Sequence, residues 1–160
     1  FLIREMCPYK TNIPKMFDRG KRIYYNCDMK RGFTCSTFDL LHAGHILMLK
    51  EAKEVCDYLI VGLQVDPTLD RPNKNKPIQS YYERWVQLSA VKYVDEIIPY
   101  SHESELLTVL QNYDIDIRIL GDEYTTKSFT GNHLQMDYHF NKRTHDYSST
   151  ELRKRIRESE

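Results

Sequence analysis

Two histidines that follow a short apolar segment are the residues of this sequence best placed for chemistry. His42 and His45 are three positions apart, with Gly44 between them, at the start of a segment with helical spacing of apolar residues. On a first helical turn they project to one side, next to unpaired backbone N–H groups and the positive end of the helix dipole. Gly44 removes a side chain where a triphosphate would approach the backbone. The pattern predicts a phosphate site.

Such a site suits attack on an α-phosphate, because imidazole N–H groups can stabilise the charge that builds on the phosphoryl oxygens. Two other interpretations stay open. The pair could merely cap a helix, or it could bind zinc. Zinc would need further ligands from the remaining histidines, none of which has a recognised ligand spacing: His102, His133, His139 and His145.

The elements that must position this pair follow from the apolar pattern. From Gly32 onward, short apolar segments alternate with amphipathic ones, as is typical of βαβ units. The predicted strands are 32–36, 58–65, 96–99, 115–120 and a half-exposed edge strand over 134–140. The predicted helices are 46–56, one that begins at Ser80, 103–113, and one that begins at Ser148. The sequence therefore predicts an α/β protein with an open parallel sheet flanked by helices, and with ligands at its carboxyl edge.

The composition excludes several classes of function. At 160 residues the chain has the size of one domain. We expect residues 1–28 to be an N-terminal extension outside the core, and 29–160 to form the domain.

Lys plus Arg and Asp plus Glu number 23 each, which disfavours bulk nucleic-acid binding. The longest apolar segment, 58–63, is far shorter than the ~20 residues that span a bilayer, so we expect no membrane span. The cysteines form no CxxC pair, and we expect a cytoplasmic protein.

Four segments resemble one enzyme family. TFDLLHAGH (37–45) resembles the TFDxLHxGH signature of the cytidylyltransferases, most closely the glycerol-3-phosphate branch. YVDEIIP (93–99), LGDEY (120–124) and RTHDYSST (143–150) resemble the YVDEVIP, GDDW and RTxGISTT segments of that family, in the same order. The resemblance implies a Rossmann-like fold and transfer of CMP from CTP to a small phosphomonoester, such as glycerol 3-phosphate, with Mg²⁺ as the cofactor and a homodimer as the assembly.

The resemblance also implies roles for individual residues. Catalysis is expected from His42, His45 and Lys76, and contact with the acceptor from Lys74. Asp39 is expected to brace its loop as well, and Asp122 to approach the base together with Tyr124. The predicted nucleotide-binding residues are Thr37, Phe38, Asp39, Gly44, Arg84, Asp122, Arg143, Thr144, Ser148, Ser149 and Thr150.

Departures from the family pattern concern the acceptor more than the reaction. Ser36 and Asp146 replace family glycines, and Leu106 aligns with a lysine of the glycerol-3-phosphate enzymes. Alternatives therefore include cytidylyl transfer to phosphocholine or phosphoethanolamine and adenylyl transfer from ATP to FMN or phosphopantetheine. A nucleotide-binding module without catalysis is a further alternative from a different class.

Overall fold

The computed structural model describes residues 29–159, so the predicted extension 1–28 lies outside the described residues. In the described part, the strands are β1 (Arg31–Ser36), β2 (Tyr58–Gln64), β3 (Glu96–Tyr100), β4 (Ile117–Gly121) and β5 (Asp137–Asn141). The helices are α1 (Ala43–Glu54), α2 (Tyr81–Ser89), α3 (Glu103–Asn112) and α4 (Ser149–Glu158). Short 3₁₀ turns cover Pro67–Leu69 and Asp122–Thr125.

The strands form one parallel sheet in the order β3-β2-β1-β4-β5. The chain runs outward from β1 to β3 and then returns to β4 on the other side of β1. In an open α/β sheet, a reversal of this kind opens a crevice at the carboxyl ends of the two strands that flank it. The predicted α/β open parallel sheet is confirmed, and its topology places the crevice between β1 and β4.

Two apolar cores cover the two faces of the sheet. Leu59, Val61 and Leu63 of β2 belong to one core, with residues of α1 and α2, whereas Ile60 between them belongs to the other, with residues of α3. Successive strand side chains point to opposite faces, so a strand covered on both sides has no polar alternation. This explains why β2 is an unbroken apolar segment.

Local signals in the sequence fix most helix starts. Ser80 Oγ accepts from the Glu83 backbone N–H at 3.3 Å, and the Glu83 carboxylate accepts from the Ser80 N–H at 2.7 Å, which is the predicted capping box. Ser148 caps α4 by accepting from the Glu151 N–H at 3.1 Å. The structure places the start of α1 at Ala43, earlier than the predicted 46, because His42 itself is the N-cap residue.

The edge strand was predicted too early. β5 begins at Asp137, because residues 131–134 form a turn in which the Leu134 N–H donates to the Gly131 carbonyl. Leu134 and Met136 still pack on the apolar core of α3, which accounts for their alternation in the sequence. Within residues 29–159 no helix is long and apolar enough to cross a membrane.

Candidate active site

A cavity of about 1010 Å³ opens at the carboxyl ends of β1 and β4. One side is formed by the loop after β1 and the start of α1, and the opposite side by the segment that leads into α4. These two sides contribute Thr37, His42, Gly44, His45, Arg143, Thr144, Ser148 and Ser149. The two segments predicted to hold phosphates thus face one common space.

A chain of hydrogen bonds links the two sides. The Gly44 N–H donates to His42 Nδ1 at 3.1 Å, so the proton of the neutral His42 ring is assigned to Nε2. Nε2 lies 3.3 Å from Ser149 Oγ, and that hydroxyl donates to the Asp39 carbonyl at 3.1 Å. The first turn of α1, the first turn of α4 and the loop after β1 are therefore held in one arrangement.

The two imidazoles form a stacked pair. The ring centroids of His42 and His45 are 3.9 Å apart at an interplanar angle of 25°, and Phe38 packs on His45 at 5.2 Å. Burial, and secondly the neighbouring His42, lowers the pKa of His45 to about 3. Burial also lowers the pKa of His42, with contributions from His145 and Arg143. Both rings are therefore neutral at neutral pH, and each offers an N–H without first losing or gaining a proton.

Gly44 is required by a close approach of the two sides. A Cβ added at this position would lie 2.9 Å from the Tyr147 backbone oxygen and 2.9 Å from Cε1 of His145. Real Cβ atoms do not come that close to a carbonyl oxygen, so an alanine would push the segment before α4 away from α1. The narrow spacing of the cavity walls thus depends on this glycine.

Asp39 lies beneath the loop and not in the cavity wall. Its carboxylate accepts from the backbone N–H groups of Ile78 and Gln79 at 3.0 and 2.9 Å, and it pairs with Arg153 at 2.5 Å. The Asp39 side chain is 7% exposed. These contacts fit the predicted bracing of the loop, whereas the predicted nucleotide contact would have to come from the Asp39 backbone or after a rearrangement.

Comparisons with known proteins agree with this geometry. A model of the cytidylyltransferase-like family matches residues 33–155. The chain belongs to the cytidylyltransferase-like family. Its resemblance to that family, predicted from four segments, is thereby confirmed, and the chain is a nucleotidyltransferase.

Individual relatives support the same assignment. Glycerol-3-phosphate cytidylyltransferase of Bacillus subtilis (strain 168) is 34% identical over 128 residues, which cover 80% of this chain and 98% of the relative. The enzyme of the same name from Staphylococcus aureus is 32% identical over 129 residues, 80% of this chain and 96% of that one.

A solved structure supports the predicted fold. The crystal structure of a lipopolysaccharide core biosynthesis protein from Thermoplasma volcanium matches with a TM-score of 0.59 and 30% identity, covering 72% of this chain and 98% of that chain. The Rossmann-like fold expected for a nucleotidyltransferase is confirmed.

Arg84 was predicted to bind the nucleotide, but in the structure of this cytidylyltransferase-like chain it is buried and is not among the residues that line the cavity. Arg84 is 2% exposed, and its terminal nitrogens donate to the backbone oxygens of Thr37, Gln64 and Val65, each at 2.7 Å, while Nε donates to the Gln79 oxygen at 3.2 Å. Four of the five guanidinium N–H groups are thus committed to backbone oxygens. Arg84 is a positioning residue that ties the loop after β1 to the end of β2.

Other predicted residues divide between the cavity wall and its surroundings. Lys74 and Asp122 line the cavity, as does Tyr124. Lys76, which we predicted to be catalytic in preference to Lys74, is not among the residues that line it, nor is Thr150. Phe38 lies behind His45 and supports its ring. Lys74 is therefore the loop lysine that this arrangement places at the cavity.

A second group of polar residues in the wall was missed from the sequence. Gln64 at the end of β2 and Arg118 within β4 are 1% and 2% exposed, and Arg71 and Glu103 lie next to them. One signal was available. Arg118 interrupts an otherwise apolar strand, IRIL, and a buried arginine in a parallel strand needs a partner or a ligand.

The pKa of His45 leads to a prediction about stability and pH. The unfolded chain takes up a proton at the ordinary pKa of 6.5 but the folded chain only near pH 3, so the unfolded state binds more protons between these values. The contribution of His45 to stability is therefore fully present above pH 6.5 and is lost as the pH falls towards 3. Over this range the free energy of unfolding changes by at most about 1.4 kcal/mol per pH unit through His45, and by less because the ring is partly exposed to solvent.

Urea unfolding of the wild type and of His45→Asn from pH 7 to pH 4 measures this effect. We expect the free energy of unfolding to fall more steeply in the wild type than in the variant. His133→Asn, at an exposed position, serves as the matched control and should keep the wild-type slope. Parallel curves for the wild type and His45→Asn would show that His45 does not stay neutral in the folded state.

Proposed function

We propose that this nucleotidyltransferase transfers CMP from CTP to a small phosphomonoester, with glycerol 3-phosphate as the leading candidate, to give CDP-glycerol and pyrophosphate. The observation that carries the proposal is the convergence of His42 and His45 with the amino terminus of α4 on one cavity. The names of the bacterial relatives support cytidylyl transfer to glycerol 3-phosphate.

The reaction joins two phosphates in line. A phosphate oxygen of the acceptor forms a bond to the α-phosphorus of CTP, and the bond from that phosphorus to the bridging oxygen of the β-phosphate breaks. Pyrophosphate leaves with the electron pair. Most of the work required of the protein is to position the two reactants and to stabilise the charge on the phosphoryl oxygens.

The neutral histidines are suited to that work. N–H groups of His42 and His45 donate to oxygens of the triphosphate and of the transition state, without the cost of moving a proton first. The free backbone N–H groups at the start of α4, the Ser148 hydroxyl and the guanidinium of Arg143 bind the remaining phosphate charge, while the Ser149 hydroxyl keeps its bond to the Asp39 carbonyl. Lys74, at the cavity wall, neutralises the incoming phosphate of the acceptor.

The proposed cofactor is Mg²⁺, which neutralises phosphate charge when it is bound with the nucleotide. Among residues 29–159 no cluster of three or more His, Cys, Asp or Glu side chains could hold a metal ion. A magnesium ion bound with the nucleotide would take most of its ligands from phosphate oxygens and water, and Asp122 in the cavity wall would be an available carboxylate. A homodimer and a cytoplasmic location are further proposals, which rest on the resemblance and on the cysteine pattern.

A substrate matrix tests the proposal. CTP, ATP, UTP and GTP are each combined with glycerol 3-phosphate, phosphocholine, phosphoethanolamine, FMN or phosphopantetheine, and pyrophosphate release is measured. Reactions without an acceptor measure background hydrolysis. Release with CTP and glycerol 3-phosphate alone supports the proposal. Release with ATP and FMN or phosphopantetheine would replace it by adenylyl transfer, and binding of CTP without release under any pairing would indicate a non-catalytic module.

A further inference from the structure

A cluster of four polar side chains lies in the cavity wall away from the histidines. We name it the floor cluster, and it consists of Gln64, Arg71, Glu103 and Arg118. It is built from the end of β2, the loop after β2, the start of α3 and the middle of β4. None of its members belongs to the hydrogen-bonded chain that joins α1 to α4. The reaction described above gives this cluster no task.

The hydrogen-bond acceptors of the floor cluster are already occupied. An Arg71 nitrogen donates to Gln64 Oε1 at 2.9 Å and lies 3.5 Å from Glu103 Oε1. The Thr130 hydroxyl donates to the other oxygen of Glu103 at 2.5 Å. Because arginine can only donate, its bond to Gln64 fixes the amide with its oxygen towards Arg71 and its nitrogen away from it.

Several hydrogen-bond donors of the floor cluster, by contrast, have no partner. Within the part of the chain that the structure describes, Gln64 Nε2, Arg71 Nε and Arg118 Nε have no hydrogen-bond partner. Arg118 donates through its terminal group to the Thr130 carbonyl and lies over the Phe129 ring, with 5.2 Å between the guanidinium carbon and the ring centroid. Buried donors without partners are rare in proteins and commonly mark a site that a ligand or water completes.

The charge of the floor cluster also favours a ligand that accepts hydrogen bonds. Two guanidinium groups and one carboxylate leave one net positive charge next to the unpartnered amide N–H groups. Oxygen atoms are attracted to this combination, and an ammonium group is repelled by it. The cluster is therefore complementary to hydroxyl or carboxylate oxygens and not to a cation.

We propose that the floor cluster binds the organic tail of the acceptor and selects a tail rich in oxygen, hydroxyl or carboxylate, against a cationic one. The inference rests on the proposed function, since the tail belongs to the phosphomonoester that receives the nucleotide. It separates the candidate acceptors: glycerol 3-phosphate fits the cluster, while phosphocholine and phosphoethanolamine do not. Gln64 and Arg118 are then the residues that determine specificity for the acceptor.

The variant Gln64→Glu tests this selection at nearly constant shape. It keeps an oxygen for Arg71 but replaces the unpartnered N–H donor by a carboxylate oxygen. We expect the KM for glycerol 3-phosphate to rise about tenfold or more, because a donor becomes a repelling acceptor. The KM for CTP should stay unchanged, and the preference for glycerol 3-phosphate over phosphoethanolamine should fall by a similar factor. 3-Phosphoglycerate, with a carboxylate tail, should lose more than glycerol 3-phosphate.

Controls separate the cluster from general effects. Gln111→Glu makes the same chemical change at an exposed position of α3 and should leave all constants unaltered. Arg118→Gln, which keeps a donor but removes the charge, should weaken the binding of 3-phosphoglycerate most. Unchanged acceptor constants in Gln64→Glu, or an equal loss for every acceptor and for CTP, would overturn the inference.

Direct binding keeps the two proposals distinguishable. If the wild type releases no pyrophosphate with any pair of substrates, the proposed function fails, and calorimetric titration with glycerol 3-phosphate and phosphoethanolamine then tests the cluster by itself. Preferential binding of glycerol 3-phosphate that Gln64→Glu abolishes supports the inference even then. No preference in the wild type would refute it.

Discussion

Replacement of either His42 or His45 by alanine should lower the kcat of nucleotidyl transfer by about 10²- to 10³-fold, the usual cost of losing one donor to a developing oxyanion. The rings are stacked at 3.9 Å and share one task. The double variant should therefore be little worse than the more damaging single one, because residues that act as a unit are not additive. Steady-state pyrophosphate release under saturating substrates measures the effect.

A matched histidine shows whether the loss is local. His133→Ala, at an exposed position outside the cavity wall, should retain wild-type turnover. Thermal unfolding of the alanine variants should stay cooperative, since neither ring carries an apolar core. Turnover within a factor of about two of wild type in the double variant would contradict the assigned roles. Such a result would mean that transfer proceeds without the N–H donors that the two imidazoles are proposed to supply.

Replacement of Arg84 by methionine should lower the free energy of unfolding by about 3 to 5 kcal/mol, because each buried carbonyl that loses its hydrogen-bond donor costs about 1 to 3 kcal/mol and the structure relaxes around some of them. Methionine fills much of the volume but leaves four backbone oxygens without their donor, those of Thr37, Gln64, Val65 and Gln79. Urea unfolding at pH 7 measures the change. Activity should fall with it, because the loop after β1 loses its attachment to β2.

Two further variants show whether the loss of stability comes from the hydrogen bonds of Arg84. Arg84→Lys keeps the charge but cannot reach several carbonyls with a planar fork, so it should recover only part of the stability. Arg155→Met, the same substitution at an exposed position of α4, should change stability by no more than about 0.5 kcal/mol. A urea midpoint for Arg84→Met equal to that of Arg155→Met would show that the four carbonyls do not depend on Arg84.

The parts of the fold that could be predicted from sequence are those governed by local pattern. β2 is apolar without alternation because both of its faces are covered, and Ser80 with Glu83 carries a complete capping box in the sequence itself. The two segments proposed to bind phosphate could be located because each has its own helix start, at His42 and at Ser148. Their meeting across the cavity followed from the resemblance and from the general rule for parallel sheets.

The features that could not be predicted from the sequence depend on contacts between residues far apart in the chain. Arg84 has the charge and position expected of a nucleotide ligand, and only the structure reveals that carbonyls from three separate segments occupy its donors. Lys76 and Lys74 are two residues apart in one loop, and the course of that loop, not its composition, decides which reaches the cavity. The floor cluster joins residues 64 to 118, a separation at which single-sequence patterns carry no information about contact.

The loop after β1 has a backbone that no local preference explains. Phe38 and Leu40 both adopt left-handed conformations, with φ of 49° and 52°, which side chains of this size avoid. Between them, Asp39 is held by α4 through Arg153 and by the segment before α2 through two backbone N–H groups. Strain of this kind persists only where surrounding contacts over-determine it. During folding, the loop after β1 can therefore adopt its final shape only after α4 and the segment before α2 have docked, so a chain that is shortened at its last helix would keep the sheet but lose the activity proposed for this loop.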